Sequence, residues 1–62
     1  MFKLDFETEN AAFEDAPAAE CARILRGIAS HLEREIDVYS SPIFDANGNR
    51  VGHWEMTPYS TT

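Results

Sequence analysis

The sequence predicts one small α+β domain of order β–α–β–β, with one helix on a three-stranded, mainly antiparallel sheet. Three observations predict it. Residues 1 to 7 alternate apolar and polar side chains, the period of a half-buried strand. Residues 17 to 36 repeat apolar side chains at spacings of three and four, the period of an amphipathic helix. The run FDANGNRVG, residues 44 to 52, sets turn formers between two apolar segments and so reads as a hairpin.

In the first strand Phe2, Leu4 and Phe6 point one way, and Lys3, Asp5 and Glu7 the other. Residues 8 to 16 read as a loop in which Phe13 plugs the edge of the core. Pro17 opens the helix, since a missing N–H is harmless in the first turn. Asp15 and Glu20 flank that end and favour its positive pole. Proline pushes Ala16 toward an extended backbone, so Ala16 suits the cap position without a side-chain acceptor.

The helix is expected from Pro17 to Glu35. Ala18, Cys21, Ala22, Leu25, Ile28, Ala29, Leu32 and Ile36 form its apolar stripe, widened by Ile24. The opposite face carries Ala19, Arg23, Arg26, Gly27, Ser30 and Arg34. A second strand is expected near Ser41 to Asp45, and Pro42, which has no N–H, makes it an edge strand. Asp45, Ala46, Asn47 and Gly48 suit a type I turn followed by a left-handed residue, the three-residue hairpin with a bulge. The third strand is Arg50 to Met56, with Val51, His53 and Glu55 alternating against Gly52, Trp54 and Met56. Residues 1–56 form the domain and 57–62 a partly frayed tail. The favoured sheet order is 1-3-2; the alternative sets strand 1 parallel to strand 2 across the helix.

The chain has 62 residues, of which 44% are hydrophobic, enough for a folded globule. A core of this size supplies roughly 3–5 kcal/mol. The single cysteine, Cys21, excludes an intramolecular disulfide and lies on the apolar stripe, where an inert thiol is expected. Eleven acids face five bases, giving a formal charge of −6. Six of those acids, Asp5, Glu7, Glu9, Glu14, Asp15 and Glu20, fall in the first 20 residues against Lys3 alone. Ordinary nucleic-acid binding needs a basic footprint, so this balance argues against it. An acidic face attracts basic partners instead. Asp5 and Glu7 stand about 6.8 Å apart on one strand face, at a scale where rows of carboxylates imitate a phosphate backbone.

Chemistry is sparse. His31, His53 and Cys21 match no zinc spacing, so no metal or cofactor is expected. There is no phosphate loop and no nucleophile elbow. One helix on three short strands rarely encloses the ~300 Å³ pocket an enzyme needs. No enzymatic activity is expected. Gly27 is the odd residue of the helix, because alanine there would stabilise by about 1 kcal/mol. With Arg23 and Ser30 it marks a possible second interface, where another backbone could approach. No run is apolar enough to span a bilayer or direct secretion.

The runs NAAFED, ARILR and DANGNRVG, taken in this order over residues 10 to 52, resemble small proteins encoded by bacteriophages and prophages. The resemblance brings no catalytic residues and implies a phage origin and a bacterial cytoplasm. In size, charge and architecture the chain is also similar in type to anti-CRISPR proteins, some of which imitate DNA. The expected function is therefore an inhibitory binding protein. Asp5, Glu7, Glu9, Glu14, Asp15 and Glu20 would dock on a basic, nucleic-acid-binding surface of a host complex, a Cas subunit by preference. The alternative is a structural or regulatory phage protein, dimeric through the Arg23–Gly27–Ser30 face or a sheet edge. A weak nucleic-acid binder using Arg23, Arg26, Arg34 and Arg50 ranks last.

Overall fold

The computed structural model describes residues 1–34 and 39–57. Its elements are β1 (Phe2–Phe6), a 3-10 turn (Ala11–Phe13), α1 (Pro17–Arg34), β2 (Ser40–Phe44) and β3 (Arg50–Met56). The sheet order is β1-β3-β2, with both pairings antiparallel. This is the expected α+β arrangement, and the edge position of β2 suits Pro42. Glu35 and Ile36, expected on the helix, lie outside the described residues.

β1 reads as its alternation requires. Phe2, Leu4 and Phe6 lie opposite Met56, Trp54 and Gly52 on the inner face, while Lys3 and Asp5 lie opposite Glu55 and His53 on the outer face. The ladder continues past the strand at both ends. Glu7 N–H donates to the Val51 carbonyl at 2.9 Å, and Thr57 N–H donates to the Met1 carbonyl at 2.8 Å. Thr57, expected in the frayed tail, is therefore tied to the sheet; residues 58–62 lie outside the description.

The hairpin takes the expected form. Gly48 N–H donates to the Asp45 carbonyl at 3.0 Å and Asp45 N–H to the Asn49 carbonyl at 2.9 Å, closing a three-residue loop. Gly48 has φ +84°, the left-handed conformation that glycine adopts without steric penalty. A register shift follows: Ile43 lies opposite Gly52, but Phe44 lies opposite Arg50. Val51 is thus an extra residue on β3, and such a bulge breaks the strict alternation. The expectation that Val51 shares a face with His53 and Glu55 is corrected, for Val51 is buried and both others are exposed.

The core is Phe13, Ile24, Ile43, Val51 and Trp54. Trp54, 1% exposed, is stacked on Phe2 at 5.6 Å and meets the edge of His31 at 6.2 Å. Phe13 plugs the core edge as expected and stacks on Phe6 at 6.2 Å.

The helix buries one side of its predicted apolar stripe: Cys21, Ile28 and Leu32 pack against the core as expected, but the burial is centred off the stripe's middle. Glu20 and Ile24 are buried, and Cys21, Ala22, Ile28, His31 and Leu32 are half-buried. Ala18, Leu25 and Ala29 are exposed, Leu25 by 49%. At about 100° per residue the centre of the buried face is shifted by roughly 60° from the centre of the expected stripe. Ile24, which merely widens the expected stripe, is its centre. The reason is the small gain from the alternative. Alanine methyls bury little apolar area, whereas this orientation covers Trp54 with isoleucines and docks Glu20 on the hairpin.

Candidate interaction surfaces

Glu20 is the point where helix and hairpin meet. It is 8% exposed and accepts two bonds from Arg23, from Nε and from Nη2, each at 2.8 Å. Its Oε2 also accepts from the Ala46 N–H at 2.8 Å. Arg23 Nη2 reaches the Phe44 carbonyl at 3.3 Å. The Arg23 guanidinium holds the Glu20 carboxyl below the ordinary carboxylate range against the opposing effect of burial, and the Ala46 N–H assists. A buried carboxylate is tolerated when it is paired and hydrogen-bonded in this way.

Asp45, 5% exposed, organises the turn beside it. Its Oδ1 accepts from the N–H groups of Asn47 and Asn49, both at 2.9 Å, and its Oδ2 from Asn10 Nδ2 at 2.6 Å. Burial works to raise the Asp45 pKa, but these bonds outweigh it and leave the carboxyl below its ordinary range. Asn10 thereby fastens the loop after β1 to the hairpin. Its Oδ1 is buried with no hydrogen-bond partner among the described residues.

Two conclusions follow for the expected site. Glu20 does not belong to a docking surface: its oxygens are occupied and shielded from solvent, and it is removed from the acidic set. The other five, Asp5, Glu7, Glu9, Glu14 and Asp15, are all exposed. Among the described residues none of the five is in an ion pair; the bridges found are Arg23–Glu20 and His53–Glu55. Asp5 faces outward from β1, Glu7 follows that strand, and Glu9, Glu14 and Asp15 flank the 3-10 turn. Glu9 and Glu14 border a depression of about 320 Å³ at that turn, shared with Thr8, Asn10, Ala11 and Phe13.

The second expected interface is altered too. Arg23 is engaged by Glu20 and the Phe44 carbonyl, while Gly27 and Ser30 stay exposed. Gly27 borders a shallow groove of about 240 Å³ between α1 and β2, with His31, Pro42 and Trp54 among its walls. Among the described residues, no atom beyond its own helical turn lies within 4 Å of the place where a Cβ would stand. Among the described residues, nothing requires glycine there.

Gly52 matters more, and the sequence reading passed over it. A Cβ on Gly52 would fall on the Asp5 carbonyl oxygen and within 2.6 Å of Phe6 Cα. The signal was present, since glycine inside a strand pattern marks close backbone approach. Among the described residues no cluster of His, Cys, Asp or Glu is placed to hold a metal, and no helix is long and apolar enough to cross a membrane. No family model, curated protein or solved structure matches the chain.

Proposed function

We propose that this chain is a non-enzymatic inhibitory binding protein of phage origin. Its acidic surface takes the place of nucleic-acid phosphates on a basic host surface. The preferred target is a nucleic-acid-binding Cas subunit. One observation carries the reading: Asp5, Glu7, Glu9, Glu14 and Asp15 are exposed and carry no internal counter-charge among the described residues. Carboxylates that only stabilised the fold would be paired, as Glu20 is, or hydrogen-bonded, as Asp45 is. Five unpaired ones within residues 5 to 15 concentrate negative potential at one stretch of chain, which steers a basic partner toward it. Blocking by occupation needs no turnover.

The test uses a purified Cas complex and the full chain. Binding is expected to weaken steeply between low and high salt, because exposed charges are screened over a Debye length. Duplex DNA should compete for the same surface. Reversing Glu9, Glu14 and Asp15 to lysine should weaken binding by about tenfold or more, on the usual scale of interfacial charge effects. Unchanged binding after reversal of all five acids rejects the mechanism.

A further inference from the structure

The sheet has two open edges, and they are not alike. On β2 the Met56 N–H donates to the Tyr39 carbonyl at 2.7 Å. Bonded pairs alternate along an antiparallel ladder. Ser41 and Ile43 therefore turn their backbone groups toward β3, and Ser40, Pro42 and Phe44 turn theirs outward. Pro42 has no N–H to offer, and the Phe44 carbonyl already accepts from Arg23. This edge is blunted against strand addition.

On β1 the corresponding bonds, Thr57 N–H to Met1 and Glu7 N–H to Val51, assign Lys3 and Asp5 to the ladder with β3. Phe2, Leu4 and Phe6 then turn every N–H and C=O outward. There is no proline, and among the described residues β1 pairs with β3 alone. Phe2 is 44% exposed at this edge.

The side chains of β1 are self-complementary about Leu4. In an antiparallel pairing with a second copy, Leu4 meets Leu4 and Phe2 meets Phe6, in hydrogen-bonded pairs. Lys3 meets Asp5 twice, in non-hydrogen-bonded pairs, where side chains stand closest. Each adjacent register opposes like charges at its centre. Centring on Lys3 opposes two lysines, and centring on Asp5 opposes two aspartates, which is destabilising, although the latter also sets Lys3 against Glu7 twice; the double variant Lys3→Asp/Asp5→Lys restores only the Leu4-centred register. In the Leu4-centred register, the outer face carries the row Glu55, Lys3, then Asp5 and His53 of the second copy. Lys3 makes no ion pair within its own chain among the described residues, so it is available.

We propose that β1 is a homodimerisation edge, pairing antiparallel about Leu4 with a second copy to build one continuous six-stranded sheet. A five-residue strand gives a small contact, so the dimer is weak and forms in a concentration-dependent way. It engages Asp5, one of the five acids of the proposed docking surface, and leaves Glu9, Glu14 and Asp15 of both copies outside the interface.

Sedimentation equilibrium over a wide concentration range tests it, with far-UV circular dichroism to verify folding. Lys3→Asp alone opposes two acids twice over, and Asp5→Lys alone opposes two lysines. Each should weaken dimerisation roughly tenfold, since the change acts at both symmetric pairs. The double variant Lys3→Asp/Asp5→Lys restores opposite charges and should dimerise like the parent. A parent that stays monomeric at every concentration overturns the proposal. So does a dimer indifferent to the single reversals, or one that the double variant fails to restore.

Discussion

Glu20 and Asp45 show how single residues hold this small fold together. Both are buried carboxylates, and both have pKa values below the ordinary range because donors surround them. A folded pKa lower than the unfolded one gives stability that is full above the unfolded value and is lost as pH falls through the folded value. The melting temperature should therefore be flat from neutral pH to about pH 5 and fall below that, where unfolded carboxylates begin to protonate. In Glu20→Gln the melting temperature should be lower at neutral pH, and its fall with acid should be shallower. Thermal melts followed by circular dichroism across that range decide it; an unaltered pH profile would show that Glu20 contributes nothing to the acid sensitivity.

At the scale of elements, two glycines give opposite expectations. Gly27 lies in a helix with open space around its missing side chain, so Gly27→Ala should stabilise by about 1 kcal/mol. For a domain of this size that raises the melting temperature by roughly 4–8 °C. Gly52 lies where β3 crowds the β1 backbone, so Gly52→Ala should destabilise by roughly 1–3 kcal/mol, the scale of overpacking. Urea denaturation of both variants measures the pair, and a stabilised Gly52→Ala would contradict the close approach of β1 and β3. The elements themselves were legible in the chain. β3 and the helix start at Pro17 lie where the patterns put them, and β2 is displaced by one residue. The three-residue loop followed from Asp45 and Gly48, because a positive φ selects glycine wherever it occurs.

For the whole molecule, the core is small enough that one side chain decides whether it folds. Trp54 is fully buried at the centre of the sheet, between Leu4 and Ser41 in register, and touches strand and helix alike. Trp54→Ala should remove about 3–5 kcal/mol. That equals the roughly 3–5 kcal/mol a core of this size supplies. The variant is expected to be unfolded at 25 °C, with the far-UV spectrum of a disordered chain. A cooperative thermal transition in that variant would show that stability resides elsewhere, such as in the Glu20 and Asp45 network or in association between copies.

The sequence by itself determined the fold class and the form of the hairpin, and it favoured the strand order that the structure decides. These depend on patterns local in the chain: a period of two, a period near 3.6, a proline at a helix start and a glycine in a turn. It also placed six acids at the surface, of which five are exposed and Glu20 is buried. Only the tertiary structure decided which way the helix faces and which charges are used internally. The helical pattern offered a broad stripe with alanines on one side, and alanines bind too little apolar area to set the rotation. The choice fell to contacts between residues far apart in sequence: Ile24 on Trp54's side of the core, and Glu20 on Ala46, 26 positions away. The same holds for Val51, turned inward by a bulge, and for Gly52, whose need for space is set by the strand beside it. Such preferences are pairwise across the fold, and no local period along the chain encodes them.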